Sequence, residues 1–178
     1  MRIIAGDYKG RRLYTPKNND IRPTTDKVKE ALFSILTNKI YKSVVLDLFS
    51  GTGNIGLEAL SRGAKHCYFG DNQKASIMLI KENIEYCKAQ EKSTVIPGDF
   101  RKILSQVNQK CDLIFLDPPY KKGLLEECFL IIEELDLLAE GGTIVAEHPR
   151  REDIPKIMGK YEQISERRYG KILLSIYS

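Results

Sequence analysis

Four consecutive residues, Asp117-Pro118-Pro119-Tyr120, carry the groups needed to hold a planar amine. They follow the apolar run 113–116, whose composition is typical of a buried strand. Neither proline has an N–H to donate, and Pro119 disfavours a helical backbone at the residue before it, so the strand should end here. The resulting turn presents a carboxylate, two carbonyls and an aromatic ring. It could accept the N–H groups of an amine and stack on an attached ring.

A second chemical element is the G-x-G-x-x-G loop of Gly51–Gly56, which follows the apolar run 44–49 and precedes a predicted helix over 54–62. Glycines at this spacing let the backbone turn tightly and approach a nucleotide closely. Asp47 lies inside the preceding strand. Asp71 ends the next predicted strand, where an acid can accept the ribose hydroxyls of a nucleoside. The cofactor-binding candidates of this region are Asp47, Gly51, Gly53 and Asp71.

Asp99 and Phe100 open a short predicted helix after a third strand, at 93–97. In a nucleoside site, the carboxylate could accept the exocyclic amine of adenine and the ring could pack on its face. Asp99 is also a good N-cap residue, so a purely local role at the helix start is the alternative.

Strands and helices alternate along most of the chain, which predicts an α/β fold with a doubly wound, mostly parallel sheet. Seven strands are expected, and the last hairpin gives one antiparallel strand. A short helix is expected at 152–159. Ligands of such sheets bind at the carboxyl ends of the strands, where all the candidates above fall. The predicted strands are 44–49, 66–71, 93–97, 112–117, 143–147, 161–168 and 171–177.

The composition favours one domain of 178 residues, with 42% hydrophobic and 29% charged residues. No apolar run approaches the roughly 20 residues that span a bilayer, so no membrane partner is expected. Four cysteines without a C-x-x-C pair favour buried free thiols in a reducing compartment, here the cytoplasm. Two separate histidines predict no metal site.

Positive charge is concentrated in residues 1–42, which hold ten Lys or Arg against four acids, whereas the remainder holds 18 against 20. We therefore divide the chain into a basic N-terminal extension (1–42) and a catalytic core (43–178). Residues 2–14 are predicted to form a short hairpin. A turn with cations beside Tyr8 suits RNA phosphates and base stacking, and a merely solvated basic face is the alternative. The candidate phosphate contacts are Lys9, Arg11 and Arg12.

Together these motifs resemble the RsmD family of bacterial 16S ribosomal RNA guanine-N2 methyltransferases, over essentially the whole chain. Asp117–Tyr120 and the glycine loop are shared by many methyltransferases, and two N-terminal blocks are more specific to this family. Mild departures are Tyr8 where the family often has Trp, Asp71 where it often has Glu, and Gly70 where an apolar residue is usual. The specific blocks are Arg2-Ile3-Ile4-Ala5-Gly6 with Lys9-Gly10-Arg11-Arg12-Leu13, and Arg22-Pro23-Thr24 with residues 27–33.

The resemblance implies a class I methyltransferase that uses S-adenosylmethionine and acts on 16S rRNA, in the small ribosomal subunit or its assembly intermediate. Asp117 and the Pro118 carbonyl would hold the guanine N2 amine, and Tyr120 would stack on the extruded base. Gly51 and Gly53 would pass close to the methionine end of the cofactor, and Asp47 would orient the loop or reach the amino group through water. Arg22 would lie near the target pocket.

Three other functions are compatible with parts of the sequence. Asp-Pro-Pro-Tyr also serves adenine-N6 methyltransferases on DNA or RNA, although the chain has no separate target-recognition domain. A nicotinamide-dependent dehydrogenase would use the glycine loop but would have no role for Asp117–Tyr120. A non-enzymatic RNA-binding assembly factor could keep only the fold.

Overall fold

The computed structural model describes residues 1–16, 26–119 and 123–178. The helices are α1 (Asp26–Ile35), α2 (Thr37–Ile40), α3 (Asn54–Ser61), α4 (Lys74–Cys87), α5 (Phe100–Gln106) and α6 (Leu124–Glu134), with a 3₁₀ helix at Gln90–Lys92. The strands are β1 (Val44–Asp47), β2 (His66–Asp71), β3 (Ser93–Pro97), β4 (Cys111–Leu116), β5 (Leu138–Pro149), β6 (Ile157–Met158), β7 (Tyr161–Tyr169) and β8 (Ile172–Tyr177).

The strands of the described residues form one sheet in the order β3-β2-β1-β4-β5-β8-β7-β6. The first five are parallel, and β8 runs antiparallel to both β5 and β7. This confirms the predicted doubly wound fold. The chain winds from β1 towards β3 on one side and from β4 outwards on the other, so the order reverses between β1 and β4.

The expected helix at 152–159 is wrong, and the sheet has eight strands instead of seven. Ile157–Met158 pairs antiparallel with the start of β7. Pro155 explains the difference, because it donates no backbone N–H and biases Ile154 away from the helical region. The predicted strand at 143–147 is also longer, since β5 begins at Leu138.

Helices cover both faces of the sheet, and each face has its own apolar core. The first core lies under α1, α3 and α4 and includes Phe33, Leu57, Phe69 and Ile80. The second lies under α5 and α6 and includes Leu46, Ile103, Phe129 and Tyr177. Every residue of β1 is buried, as expected for a central parallel strand covered on both sides. No helix in the described part of the chain is long and apolar enough to cross a membrane.

The buried face of helix α1 only partly matches the apolar stripe that helical spacing predicts for it, which is Val28, Ala31, Leu32, Ile35 and Leu36. Val28, Leu32 and Leu36 are buried as expected, but Ile35 is 39% exposed. Lys29 and Phe33 are fully buried in its place. This orientation brings the Lys29 ammonium to a buried acid of α3, an interaction between residues far apart in sequence.

The predicted N-terminal hairpin is present. Arg2 and Arg12 form an isolated antiparallel bridge. Ile3 N–H donates to the Arg11 carbonyl at 3.0 Å, and Leu13 N–H donates to the Met1 carbonyl at 3.1 Å. Ile3 and Leu13 are buried in the first core, so the hairpin is anchored by apolar side chains as well as by its own ladder.

All four cysteines lie in the described residues and are free and buried. Burial raises the pKa of Cys111 and of Cys128 to about 12, with smaller contributions from the neighbouring Asp112 and Glu127. It likewise raises the pKa values of Cys67 and Cys87. The predicted buried free thiols are confirmed.

Candidate active site

An open cleft lies at the carboxyl ends of β1 and β4, where the strand order reverses. Its empty volume is about 630 Å³, including the solvent at its mouth. Parallel α/β sheets bind their ligands at this place. The cleft is lined by carboxylates and apolar side chains, which include Asp47, Asp117, Glu147, Phe49, Ile55, Phe115 and Leu116, and by Gly51 and Met1.

Asp47 fixes the glycine loop to the end of β1. Its Oδ2 accepts a hydrogen bond from the Gly56 N–H at 3.0 Å. The Ser50 hydroxyl donates to the Asp47 carbonyl at 2.6 Å, and the Ser50 carbonyl accepts the Gly53 N–H at 2.8 Å. Gly53 is the N-cap of α3 with φ of 79°, a left-handed conformation that favours glycine. The loop is therefore held by its own polar groups before any ligand binds.

The last glycine of the motif, Gly56, permits close packing of α3 on β2. A Cβ at this position would lie 2.3 Å from the Phe69 ring and 2.6 Å from the Cys67 sulfur. Gly70 is equally constrained, since a Cβ there would lie 2.7 Å from Ile103 of α5. The departure at Gly70 thus has a packing reason, because α5 sits close against β2.

Asp71 lies at the end of β2 and contacts the glycine loop directly. Its Oδ2 accepts the Gly51 N–H at 3.0 Å, and its Oδ1 accepts the Gln73 N–H at 2.8 Å. The carboxylate is half-buried. Each of its oxygens has a second lone pair, so these bonds are compatible with acceptance of ribose hydroxyls. The ribose role stays a prediction.

Asp99 and Phe100 do not line the cleft. Asp99 is the N-cap of α5, and its Oδ1 accepts the N–H groups of Arg101 and Lys102 at 2.9 and 3.1 Å. Phe100 is only 7% exposed and packs 6.3 Å from Phe49, with the Arg101 guanidinium 4.5 Å above its ring. Local capping and core packing account for both residues here. Their contact with adenine stays a prediction.

Asp117 follows β4 and lines the same cleft as Asp47 and Gly51. It is exposed, whereas Pro118 next to it is buried. Glu147 lines the same cleft from β5 and was not among the sequence candidates. Two predicted residues, Tyr120 and Arg22, lie outside the described residues.

The carboxylates of the cleft influence one another electrostatically. Burial raises the pKa of Asp47 to about 7; the hydrogen bond from the Gly56 N–H opposes this rise, and the charges of Asp117 and Asp71 add to it. A positively charged ligand would relieve this repulsion. The cleft therefore has the character of a site for a cation with apolar parts.

The N-terminal hairpin is attached to α3 through Glu58, which is fully buried. The Glu58 carboxylate accepts the N–H groups of Ile4 and Ala5 at 2.8 and 3.1 Å. It also accepts the Arg62 Nε–H at 2.8 Å. One buried acid of the helix thus binds two backbone donors of the hairpin.

Lys29 completes this buried network. Its ammonium lies 3.1 Å from Glu58 Oε2 and donates to the Arg2 carbonyl and the Asn54 side-chain oxygen at 2.5 and 2.7 Å. Burial lowers the pKa of Lys29, and the charge of Glu58 opposes this effect. One ammonium group on α1 therefore binds both the hairpin and Asn54 of the glycine loop.

Gly6 allows the hairpin to approach α3 this closely. A Cβ at Gly6 would lie 1.8 Å from the Ser61 carbonyl oxygen, and its φ of 82° is left-handed. The Ser61 hydroxyl donates to the Ala5 carbonyl at 2.5 Å and accepts the Tyr8 N–H at 2.9 Å.

Asn83 of α4 fixes the other end of the hairpin. Its side-chain oxygen accepts the Tyr14 N–H at 2.7 Å, and its amide donates to the carbonyls of Tyr14 and Thr52 at 3.0 and 2.9 Å. Thr52 lines the cleft, so Asn83 connects the hairpin to the cleft wall.

The three basic candidates of the hairpin differ in their surroundings. Lys9 and Arg12 are exposed. Arg11 is half-buried, donates to the Tyr86 carbonyl at 3.0 Å, and lies 5.3 Å from the centre of the Tyr8 ring. Arg11 is thus part of the docking contact with α4.

The sequence analysis did not identify Lys29, Glu58 or Asn83 as important. For Lys29 and Glu58, the sequence contains a sign that the charged side chain is buried. Lys29 precedes Phe33 by four residues and Leu36 by seven, so it shares their helical face. Glu58 lies between Leu57 and Ala59 in a helix that is otherwise apolar on several sides. A charged residue in such a place is expected to be paired.

The residues present fit S-adenosylmethionine, which combines a sulfonium and an ammonium with a nucleoside. The cleft supplies acids for the cationic end, apolar side chains, and a glycine loop at the start of a helix. Within the described residues, no group of three or more histidine, cysteine or acidic side chains could hold a metal ion.

Comparison with known proteins agrees with this geometry. A solved structure described as a putative methyltransferase yhhF from Escherichia coli superposes with a TM-score of 0.90 and 31% identity, covering 99% of this chain and 96% of that one. A putative RNA methyltransferase from Pyrococcus horikoshii shares the fold with a TM-score of 0.74 at 18% identity, covering 94% of this chain and 92% of that one. The strand order and the cleft define a Rossmann-like fold of the methyltransferase class.

The particular family follows from sequence comparison. The family described as "Conserved hypothetical protein 95" matches residues 1–178. The "Putative rRNA methyltransferase YlbH" of Bacillus subtilis is 37% identical, covering 99% of this chain and 98% of the relative. "Ribosomal RNA small subunit methyltransferase D" of Escherichia coli is 32% identical, covering 99% and 89%. The chain belongs to this family, the RsmD family, as its N-terminal blocks predict.

Proposed function

We propose that this protein is an S-adenosylmethionine-dependent enzyme that methylates the exocyclic N2 amine of a guanine in 16S ribosomal RNA. The observation that carries the proposal is that Asp117, directly after β4, lines the same cleft as Asp47 and Gly51. An acceptor for the target amine and a cofactor loop then face the same space. The names of the relatives support rRNA as the substrate.

The glycine loop and two acids would hold the cofactor, which supplies an electrophilic methyl group on a sulfonium. Gly51 and Gly53 would let the backbone approach the methionine end. Asp71 would accept the ribose hydroxyls while it holds the Gly51 N–H. Asp47, whose charge is opposed by burial, would favour the cationic end of the ligand.

Asp117 and the Pro118 carbonyl would accept the two N–H groups of the target amine. The lone pair of a guanine N2 amine is delocalised into the ring, so the nitrogen is a weak nucleophile. Two acceptors would orient this nitrogen towards the methyl group and favour the positive charge that develops on it. The proton can leave after transfer, and Asp117 or water would accept it.

The hairpin would hold the RNA backbone beside the cleft. Lys9 and Arg12 are exposed and available for phosphates, and residues 1–42 carry a net charge of +6 by sequence. Attachment of the hairpin to α3 and α4 gives these cations a fixed distance from the cleft. A fixed distance suits a substrate whose target base must leave its stack to react.

The proposal is tested by incubation of the full chain with labelled S-adenosylmethionine and undermethylated 16S RNA or small-subunit particles, followed by nucleoside analysis. We expect label in N2-methylguanosine. Label in N6-methyladenosine would replace the guanine assignment with the adenine one. RNA binding without label on either substrate would favour the non-enzymatic assembly factor.

A further inference from the structure

An exposed aromatic surface lies where the N-terminal hairpin meets α4. Tyr14 and Tyr86 are 47% and 43% exposed. Their rings touch edge to face, with centroids 5.5 Å apart and planes at 66°. The two rings therefore support each other, and about half of each residue remains exposed to solvent. Exposed aromatic faces of this kind are stacking partners for nucleic-acid bases.

Arg11 supports this pair and adds a planar cation to it. Its guanidinium lies 6.0 Å from the centre of the Tyr86 ring, and its Nη1 donates to the Tyr86 carbonyl at 3.0 Å. Tyr8 borders the same guanidinium at 5.3 Å. Because hydrogen bonding and two rings fix Arg11, little side-chain freedom is lost when a ligand binds here.

The aromatic pair lies close to the cleft. Asn83 binds the backbone of Tyr14 with one end of its amide group and the Thr52 carbonyl with its amide N–H, and Thr52 lines the cleft. Asn83 is also one helical turn before Tyr86. A single asparagine side chain therefore separates the aromatic surface from the wall of the cleft.

We propose that Tyr14, Tyr86 and Arg11 form a stacking platform for an unpaired base of the RNA substrate, next to the nucleotide that enters the cleft. The inference rests on the proposed function, since it places a neighbouring nucleotide of the same RNA. The hairpin favours RNA as the occupant, because exposed Lys9 and Arg12 extend from the same element and can bind its phosphates. The platform would hold the strand while the target base is extruded, which offsets part of the lost stacking.

The two tyrosines could simply pack the hairpin against α4 without binding RNA. Tryptophan fluorescence distinguishes this packing role from stacking on an RNA base. The chain contains no tryptophan, so the Tyr86→Trp variant has a single indole at the platform. Tyr41→Trp is a matched control, because Tyr41 is 72% exposed beside Lys42 and belongs to the segment between α2 and β1, not to the hairpin or α4.

We expect undermethylated 16S RNA to quench the tryptophan emission of the Tyr86→Trp variant and to leave that of Tyr41→Trp unchanged. A fully paired RNA duplex should quench neither variant, because its bases are already stacked. RNA binding without quenching of Tyr86→Trp, or equal quenching of both variants, would overturn the platform.

Affinity gives a second measurement. The Tyr14→Leu/Tyr86→Leu variant keeps apolar bulk but lacks rings, and should bind RNA roughly 5- to 150-fold more weakly, whereas Tyr14→Phe/Tyr86→Phe should bind like the wild type. Unchanged RNA affinity of the leucine variant would overturn the platform. If the wild type methylates 16S RNA in that case, the proposed function stands and only the platform fails. If the wild type neither binds nor methylates RNA, the proposed function itself fails.

Discussion

The ammonium of Lys29 and the side-chain oxygen of Asn54 are 2.7 Å apart in the interior of the protein. Lys29 belongs to α1, and Asn54 lies within the glycine loop as the first residue of α3. The same ammonium binds the Arg2 carbonyl of the hairpin and the Glu58 carboxylate. The position of the hairpin relative to the cofactor loop therefore depends on one buried cation.

Replacement of Lys29 by Met should destabilise the fold strongly. The variant leaves Glu58 buried without its lysine partner, and loss of one member of a buried pair costs about 3–5 kcal/mol. Urea unfolding at neutral pH measures the change. Lys27→Met is the matched control, because Lys27 is exposed on the same helix and its loss should cost less than about 0.5 kcal/mol. An equal loss of unfolding free energy in the two variants would contradict the role of Lys29 as the buried partner of Glu58.

Asp117→Ala should abolish methyl transfer and change cofactor affinity little. Asp117 lines the cleft at the end of β4, whereas the glycine loop follows β1, so its carboxylate would act on the target amine and not on the cofactor. Loss of such an acceptor should remove several kcal/mol of transition-state stabilisation, by analogy with oxyanion donors. Single-turnover kinetics and calorimetry measure the two effects. Near-normal turnover would show that Asp117 has no chemical role.

Asp71→Ala should raise the dissociation constant of S-adenosylmethionine roughly ten- to a hundredfold, since a charge-assisted hydrogen bond contributes about 1.5–3 kcal/mol. RNA affinity should change little. Asp71→Asn is the informative companion, because its side-chain oxygen can still accept the Gly51 N–H. If Asp71 binds the ribose in addition to supporting the glycine loop, Asp71→Asn should still weaken cofactor binding. Unchanged affinity in both variants would refute the ribose assignment.

Asp47 should make stability depend on pH in the direction opposite to that of an ordinary paired acid. The folded protein keeps the Asp47 proton up to about pH 7, whereas the unfolded chain releases it near about pH 4. The folded state thus binds more protons in this window, and stability should fall as pH rises from about 4 to about 7, by a few kcal/mol. Unfolding of Asp47→Asn should lack this contribution. The same pH dependence of stability in the wild type and in Asp47→Asn would contradict a raised pKa of Asp47.

Binding of a cationic cofactor should reverse that protonation. A positive charge near Asp47 favours its carboxylate, so binding should release close to one proton per site at about pH 6, and at most about half a proton at about pH 7, where the free protein is already half ionised. Calorimetry in buffers of different ionisation enthalpy measures this release. Asp47→Asn is the control and should release none from this position.

The exposed cations of the hairpin should determine how RNA binding depends on salt. Lys9→Ala/Arg12→Ala should lower the log–log slope by about 1.4–1.8, since each lost phosphate contact removes about 0.7–0.9. Lys65 and Lys92 are exposed at the amino ends of β2 and β3, away from the cleft, so their double replacement should leave the slope unchanged. Equal slopes in all three proteins would mean that the hairpin is only solvated.

Local patterns predicted the parts of the protein that depend on neighbours in sequence. The glycine loop and Asp47 could be placed because a strand, a turn and a helix follow one another there. The hairpin was found for the same reason, from turn glycines between apolar residues. Asp71 and Asp117 needed only the rule that parallel strands end at one rim.

Contacts between segments that are distant in the sequence could not be predicted. Lys29 and Glu58 are 29 positions apart, and neither alone indicates that the other will neutralise it. Only part of the apolar face expected for α1 is buried, because Lys29 and Phe33 face the interior and Ile35 does not. Asp99 has the same local signal as a helix cap and as an adenine ligand; the structure shows the cap, and the adenine contact stays a prediction.

The four buried thiols should make the native protein unreactive towards alkylating reagents, which react with thiolates. Burial keeps these groups protonated and out of solvent, so alkylation requires that the chain open first. The rate of thiol modification therefore reports the opening of the native fold, on both faces of the sheet. A cysteine introduced at an exposed position would react alone, which allows a single dye to be attached without removal of the native cysteines.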